Sequence, residues 1–473
     1  MPDISGAEVA VAAGPERYRA WLARLSFLLA LAAFAILVVF SERRSIAMLA
    51  VGLVSAIVSL SAAFWFLATR GPARWLSLGL LIASPIAVLV VFAFYGLLWV
   101  AIVSAAAWLL AGLAARAALA PHAADWRMPV LEPASRPAHP FLIMNPRSGG
   151  GKVDKFRLKV KAESLGAEVF LMTGPGEVDV ADVARQAVAR GADLLGVAGG
   201  DGTQALVADV AADYGIPFVV ITAGTRNHFG LDLGLDRDDP AACLDALTDG
   251  VDMCVDLGRV GTKTFVNNAS FGAYAEVVQS PAYRDDKLGS TLRLLPDLLS
   301  GEQGTPLDVR VGTVELRTPQ AVLVGNNPYG TGDVAGLGRR ARIDRGSLGV
   351  VGINVASARQ AASLVRGSHS AGLTLLEGPE VVVDGDAPQI PVGVDGEAML
   401  LPTPVRCTIR RAALRVRVPR DRPGVPTPKA HVDWPRLWRL AVHGSLPEPP
   451  VVKPVSRPAT PSAPGGLDTR EPG

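Results

Sequence analysis

Three short apolar runs, residues 141–144, 194–198 and 218–222, each end in a loop suited to phosphate. The loops are Asn145-Pro146-Arg147-Ser148-Gly149, Gly199-Gly200-Asp201-Gly202-Thr203 and Gly224-Thr225-Arg226-Asn227. Each run has strand length and is rich in Val, Ile, Leu or Phe. Between them lie a basic stretch with helical spacing (152–165), a second strand (168–172), a helix over 180–190 before Gly191, and a helix over 204–214. Strand–loop–helix alternation of this kind predicts a parallel sheet covered by helices. Glycine lets backbone approach an anion closely, and consecutive N–H groups at a strand end make an anion-binding concavity. Three such loops at the ends of neighbouring strands predict one nucleotide crevice.

The rest of the chain has a different texture. After about residue 251 short β-rich runs predominate, at 263–267, 307–311, 321–326, 348–354, 380–384, 405–410 and 414–418, with helical insertions near 290–299 and 358–366. This predicts an antiparallel β-rich domain. Residues 121–140 contain five prolines and read as a linker, and residues 447–473 read as disordered.

The 473 residues are 49% hydrophobic, too apolar for an ordinary soluble enzyme, and the excess sits near the N-terminus. Between Arg24 and Glu42 there are 17 uncharged residues, 45–69 is uncharged, and 75–115 is an uncharged stretch of 41. About 20 apolar residues cross a hydrocarbon core, so four spans are expected, the last two meeting near 95–99 and the third tolerating Pro85. Arg17, Arg19 and Arg24 at one end, Arg70 and Arg74, and Arg116 and Arg127 favour both termini in the cytoplasm, although Arg43 and Arg44 count against it. The expected division is a cytoplasmic N-terminus (1–20), a four-span all-α transmembrane bundle (21–118), a linker (119–139), an α/β nucleotide-binding domain (140–250), a β-rich substrate domain (251–418) and a Pro-rich tail (419–473). Arginine- and alanine-rich composition suggests a GC-rich bacterium, hence a multi-pass protein of an inner membrane.

Other chemistries find little support. Cys243, Cys254 and Cys407 have no paired spacing, which argues against a disulfide framework or Cys-based zinc site. The six histidines are scattered, and a net charge of +2 with no basic–aromatic stripe predicts no nucleic-acid partner. Ser148-Gly149-Gly150-Gly151-Lys152 imitates a Walker A loop, but Pro146 and Val153 occupy positions that need Gly and Ser or Thr.

The three loops, followed far along the chain by Asp395-Gly396-Glu397, resemble the diacylglycerol kinase catalytic family, which includes bacterial lipid kinases and sphingosine and ceramide kinases. The resemblance covers roughly 140–418. Gly-Gly-Asp-Gly-Thr alone also occurs in NAD kinases; the ordered set of four motifs is more specific. The apolar N-terminal segment has no counterpart in the family core and looks like an added membrane module.

The resemblance implies a kinase that uses ATP and Mg²⁺ to phosphorylate a lipid alcohol in the bilayer, diacylglycerol first, in phospholipid biosynthesis. Many members also pair as homodimers. It implies nucleotide contacts from Asn145, Pro146, Arg147, Ser148, Gly149, Gly199, Gly200, Asp201, Gly202, Thr203, Gly224, Thr225 and Asn227, with Thr173 the best match for a further threonine. It implies that Glu397 accepts the proton of the lipid hydroxyl and that Asp395 supports it. Asp201 is read as either a turn-stabilising residue or a magnesium-linked carboxylate acting through water. Asp395 and Glu397 would share one face of a strand unless Gly396 bends it. The third loop departs from the family pattern at Ala223, His228 and Gly230, where Leu, Asp and Ala are common.

Several further residues have two readings. Arg226 and His228 suit phosphate or a loop surface. His369 suits a structural or solvent-facing role. Lys287 and Arg293 with Leu288, Leu292, Leu294 and Leu295 suit lipid headgroups or amphipathic packing. Arg339, Arg340 and Arg342 suit anionic lipid or a solvated loop. Trp434, Leu437, Trp438 and Leu440 with Arg436 and Arg439 suit an interfacial helix or one docked on the protein itself. Two rivals to the lipid kinase remain at this stage, an NAD kinase-like enzyme and a nucleotide-binding membrane sensor.

Overall fold

The structure is a computed structural model that describes residues 5–40, 45–69, 71–120, 128–132, 135–173, 178–272, 275, 307–329, 340, 342–353, 373–425 and 432–444. The expected helices at 290–299 and 358–366, residues Lys287, Leu288, Leu292, Arg293, Leu294, Leu295, Arg339 and His369, and the tail beyond 444 lie outside the described residues.

Four helices come first: α1 (Ser5–Phe40), α2 (Ser45–Ala68), α3 (Pro72–Phe94) and α4 (Leu98–Ala118). Among the described residues three segments are long and apolar enough to cross a membrane: Arg17–Ile36, Pro72–Phe94 and Leu98–Ala118. Within α2 the corresponding apolar stretch, Ala50–Phe66, is shorter. Pro85 is accommodated inside α3, and α3 gives way to α4 at Tyr95-Gly96, where Gly96 takes φ 69°. Helix α1 packs on α4 and α2 on α3. Serines join them: the buried Ser104 hydroxyl donates to the Ala33 carbonyl at 3.0 Å, and the half-buried Ser55 and Ser84 hydroxyls lie 2.8 Å apart. Hydroxyls bonded between helices are a common cohesive device in apolar bundles.

The strands β1 (Pro140–Met144), β2 (Glu168–Leu171), β3 (Leu194–Ala198) and β4 (Phe218–Ile221) pair in parallel in the order β2-β1-β3-β4. Their central members, β1 and β3, are buried at every residue, as a parallel strand covered on both faces must be. Helices α5 (Lys152–Lys155), α6 (Leu158–Ser164), α7 (Val180–Ala189) and α8 (Asp201–Tyr214) connect them. The basic stretch is therefore two short helices, broken at Arg157, which takes φ 51°. Asp179 caps α7 by accepting the Asp182 N–H at 2.9 Å.

The remaining strands are β5 (Gly250–Val260), β6 (Lys263–Phe265), β7 (Asn268–Gly272), β8 (Leu307–Val311), β9 (Val314–Arg317), β10 (Ala321–Gly325), β11 (Leu348–Ile353), β12 (Leu373–Gly378), β13 (Glu380–Gly385), β14 (Gln389–Val394), β15 (Glu397–Pro402) and β16 (Val405–Pro419). A short helix α9 (His228–Asp232) follows the third loop, and α10 (Trp434–His443) comes last. The fold thus combines a helix-covered sheet, parallel over β1–β4, a second and antiparallel sheet, and N-terminal apolar helices.

The two runs expected at 405–410 and 414–418 form one strand with a bulge at Arg410/Leu414. Asp256 fills that bulge, accepting the Ala412 N–H at 2.7 Å and the Gly346 N–H at 2.6 Å. Strand β16 runs parallel to β4 and antiparallel to β5 and β13, so the late strands extend the parallel sheet to ten strands. The second sheet is six-stranded, in the order β12-β11-β10-β7-β14-β15. Val309, Val381 and Val383 from the first sheet and Phe271, Val324, Val350 and Val392 from the second share one core. Fully burying such a side chain stabilises by about 1.5–3 kcal/mol. That sandwich fixes where the turn between β14 and β15 sits.

Candidate active site

The three loops interlock through backbone. Gly149 (φ 55°) leaves no room for a Cβ, which would fall on the Ala223 carbonyl oxygen. A Cβ on Gly224 would lie 2.7 Å from the Gly199 carbonyl oxygen and 2.8 Å from the Gly200 Cα. Only glycine permits such approach. Asn145 shapes the first loop: its Oδ1 accepts the Arg147 N–H at 3.0 Å and its carbonyl accepts the Ser148 N–H at 3.1 Å. Arg147 is exposed, Pro146 and Ser148 are half-buried, and Thr173 lies exposed just past β2.

The second loop opens α8 earlier than expected. Asp201, Gly202 and Thr203 form its first turn, after Gly200 at the N-cap. Glycine has no side chain to cap the helix, so the first-turn N–H groups and the helix dipole face the space between the loops. A helix N-terminus at a glycine loop binds phosphate well.

Asp201 is buried. Its two carboxylate oxygens accept the His228 and Phe229 N–H groups at 3.2 and 3.4 Å, tying α8 to α9. Burial pushes its carboxyl up, with those two N–H donors and Asn267 pulling it back. Asn227 is also buried, at φ 50°; its Nδ2 donates to the Gly224 carbonyl at 2.7 Å and its Oδ1 accepts the Gly224 N–H at 3.2 Å. Its amide therefore shapes the third loop from inside, while Thr225 is exposed. Lys152 is likewise engaged within the loops, donating to the Arg237 carbonyl at 2.7 Å.

Asp395 and Glu397 do not share a strand face. Val394 pairs with Glu397, so Asp395-Gly396 is the two-residue turn of a hairpin, with φ 47° and 88°. Asp-Gly favours such turns because both positions need positive φ. The two carboxylates consequently diverge. That of Asp395 turns inward and accepts the Val266, Asn267 and Asn268 N–H groups at 2.8, 2.8 and 3.0 Å. Burial pushes it up to about 7; the Asp201 charge adds to the rise and the three N–H donors oppose it. Glu397 is exposed and leans over α8: a Cβ on Gly202 would lie 2.6 Å from its Oε1. The Arg226 guanidinium is 3.9 Å from where Gly396 would carry a Cβ. Residues separated by nearly two hundred positions thus meet at the N-terminus of α8.

Beneath them lies a buried layer that the loop motifs did not reveal. Arg340 is fully buried and reads five partners. It pairs with Asp232 of α9 at 2.6 Å and donates to the Val266, Asn267 and Asn326 carbonyls and to Asn267 Oδ1 at 2.7, 3.2, 2.7 and 2.9 Å. Its guanidinium lies 5.6 Å from the centroid of Tyr329, whose hydroxyl accepts from Asn268 at 2.9 Å. The reading of Arg340 as lipid-facing or solvated is thereby overturned; Arg342 instead pairs with Asp344 at 2.7 Å. The signals in the sequence were the doublets Asn267-Asn268 and Asn326-Asn327 at ends of apolar strands, where side-chain amides satisfy irregular backbone.

Parts of the chain are similar to known proteins. Residues 139–260 match the family model described as diacylglycerol kinase catalytic domain. The chain is 33% identical over 120 residues to a diacylglycerol kinase of Mycobacterium tuberculosis, covering 25% of this chain and 39% of that protein. It is 32% identical over 179 residues to a diacylglycerol kinase of Bacillus subtilis, covering 37% and 58%. Against one of Staphylococcus carnosus it is 27% identical over 278 residues, covering 54% and 87%. The matches to the first two thus span less than two thirds of those proteins' length. A solved diacylglycerol kinase chain from Bacillus anthracis aligns at a TM-score of 0.44 and 16% identity, covering 60% of this chain and 97% of that one. Residues 139–260 of this chain are thus similar to the catalytic domain of the diacylglycerol kinase family.

Proposed function

We propose that the protein is an ATP-dependent lipid kinase that transfers the γ-phosphate to a lipid hydroxyl, with diacylglycerol giving phosphatidic acid as the first candidate. The observation that carries this reading is the Glu397 carboxylate over Gly202, beside the helix terminus where the three glycine loops converge. Phosphoryl transfer needs donors around the β- and γ-phosphates and a carboxylate near the attacking hydroxyl. The N–H groups of Gly149, Gly202 and Thr203, with the hydroxyls of Ser148, Thr203 and Thr225, supply the donors. Glu397 takes the proton of the lipid hydroxyl, and Asp395 fixes the turn that aims it. Magnesium neutralises charge on the phosphates when bound. The residues present would suit an ion brought by the nucleotide, since Mg²⁺ keeps several waters and takes one or two carboxylates; Asp201, already bonded by the His228 and Phe229 N–H groups and Asn267, would hold such an ion through water. Apolar helices α1, α3 and α4 hold the cleft at a bilayer that contains the acceptor, with the catalytic region on the cytoplasmic, ATP-bearing side.

The test is transfer of ³²P from ATP into lipid extracted from membranes that carry the protein. General-base loss costs about 10²–10⁴ in rate, so Glu397→Gln should lower kcat by that factor with little change in KM for ATP. Label in NAD instead would support a dinucleotide kinase, and ATP binding without labelled product a sensor.

A further inference from the structure

Helix α10 has two unlike faces. Leu437, Leu440 and Ala441 are buried against Ala20 and Ala23 of α1 and Ala115 and Ala118 of α4. Arg24 Nε donates to the Ala441 carbonyl at 2.8 Å, and Arg19 Nε to the Ala118 carbonyl at 2.9 Å, stitching the three helix ends together. Asp433 starts α10 by accepting the Arg436 N–H at 3.0 Å, and Gly444 (φ 78°) ends it. The docked face is thus settled as an internal contact.

Among the described residues the other face is apolar and exposed. Trp434, Trp438 and Val442 are 56%, 59% and 52% exposed, with Arg436 and Arg439 exposed beside them. The two indoles pack against Phe27 of α1, at centroid distances of 6.1 and 5.6 Å. Phe27 lies inside the apolar segment Arg17–Ile36, next to the exposed Leu28 and Leu31. The indoles therefore continue the apolar outer surface of α1 at the end of the bundle, and Arg17, Arg24 and Arg116 are exposed at the same end. Indole rings favour the headgroup level of a bilayer, and guanidinium groups there attract anionic lipid.

We propose that α10 is a membrane-surface clasp: it fastens the C-terminal end of the catalytic region to the paired ends of α1 and α4, and lies in the interface of a bilayer containing anionic lipid. This rests on α1, α3 and α4 spanning the membrane, not on the kinase reaction. Because α4 leads into β1 and β16 leads into α10, the catalytic sheets are held to the bundle at both ends of the region. That limits how far the Glu397 cleft can stand from the lipid surface.

The test uses the full chain with Cys254→Ser, a nitroxide on Val442→Cys and, separately, on the exposed Val160→Cys of α6 as a reference. The protein is reconstituted in vesicles of phosphatidylcholine alone and of phosphatidylcholine with phosphatidylglycerol. At position 442 the label should be relaxed severalfold more by oxygen than by a water-soluble nickel complex, relative to position 160, and more so with phosphatidylglycerol. Arg436→Gln with Arg439→Gln should remove the difference between the two lipids. Equal exposure of both labels to nickel would overturn the proposal. So would shielding of position 442 from both reagents that is relieved by diluting protein in the bilayer, which would mark a contact between two copies. The expected depth without any phosphorylated lipid would leave the clasp standing and remove the kinase reading.

Discussion

At the scale of single residues, the two acids of the Asp395-Gly396-Glu397 turn have opposite surroundings. Asp395 is enclosed by three backbone N–H groups and pushed up to about 7, whereas Glu397 is exposed over α8. A carboxyl raised in the folded state binds a proton that the unfolded chain releases near pH 4, so its contribution is complete below that value and is lost as pH rises through about 7. The denaturation midpoint of the wild type should therefore fall, relative to Asp395→Asn, between about pH 4 and pH 8. Parallel profiles across that window would show that Asp395 is not held protonated.

At the scale of elements, the first turn of α8 and the hairpin β14–β15 share one crowded point. Gly202 lies in ordinary helical backbone, and the nearest atoms to an added Cβ there would be those of the movable end of Glu397. Alanine favours helix over glycine by about 1 kcal/mol. Gly202→Ala should therefore fold with an unchanged or slightly raised Tm while kcat falls at least tenfold, because the carboxylate is pushed from its place. Gly224→Ala should behave differently, since its Cβ would meet rigid backbone 2.7 Å away. An overpacked site of that kind loses about 1–3 kcal/mol, visible as a lower Tm and weaker ATP binding.

Over the whole molecule, Arg340 is the buried cation that ties the α/β region to the second sheet, through Asp232 on one side and the Asn267 and Asn326 backbone on the other. Removing one member of a buried pair strands its partner, at a cost of about 3–5 kcal/mol. Arg340→Met should lose stability on that scale by chemical denaturation, and Asp232→Leu added to it should restore part of the loss. Additive losses would mean that the two groups act separately.

The glycine loops, the strand–helix alternation and the apolar N-terminal runs were legible in the sequence because each is a local matter of residue size, backbone freedom and hydropathy over a few neighbours. By that route the sequence determined the α/β sheet, the apolar helices and the resemblance to the diacylglycerol kinase catalytic family. It did not reveal that β16 joins the late strands to the parallel ones, that Asp201 is buried in a helical turn, or that Arg340 lies inside. Those depend on partners many residues distant, and the burial that makes Arg340 a staple exists only once two sheets have met. Tertiary structure alone decided that Glu397 comes to Gly202: a hairpin turn aims a side chain, but only the packing of one sheet on another chooses what it faces.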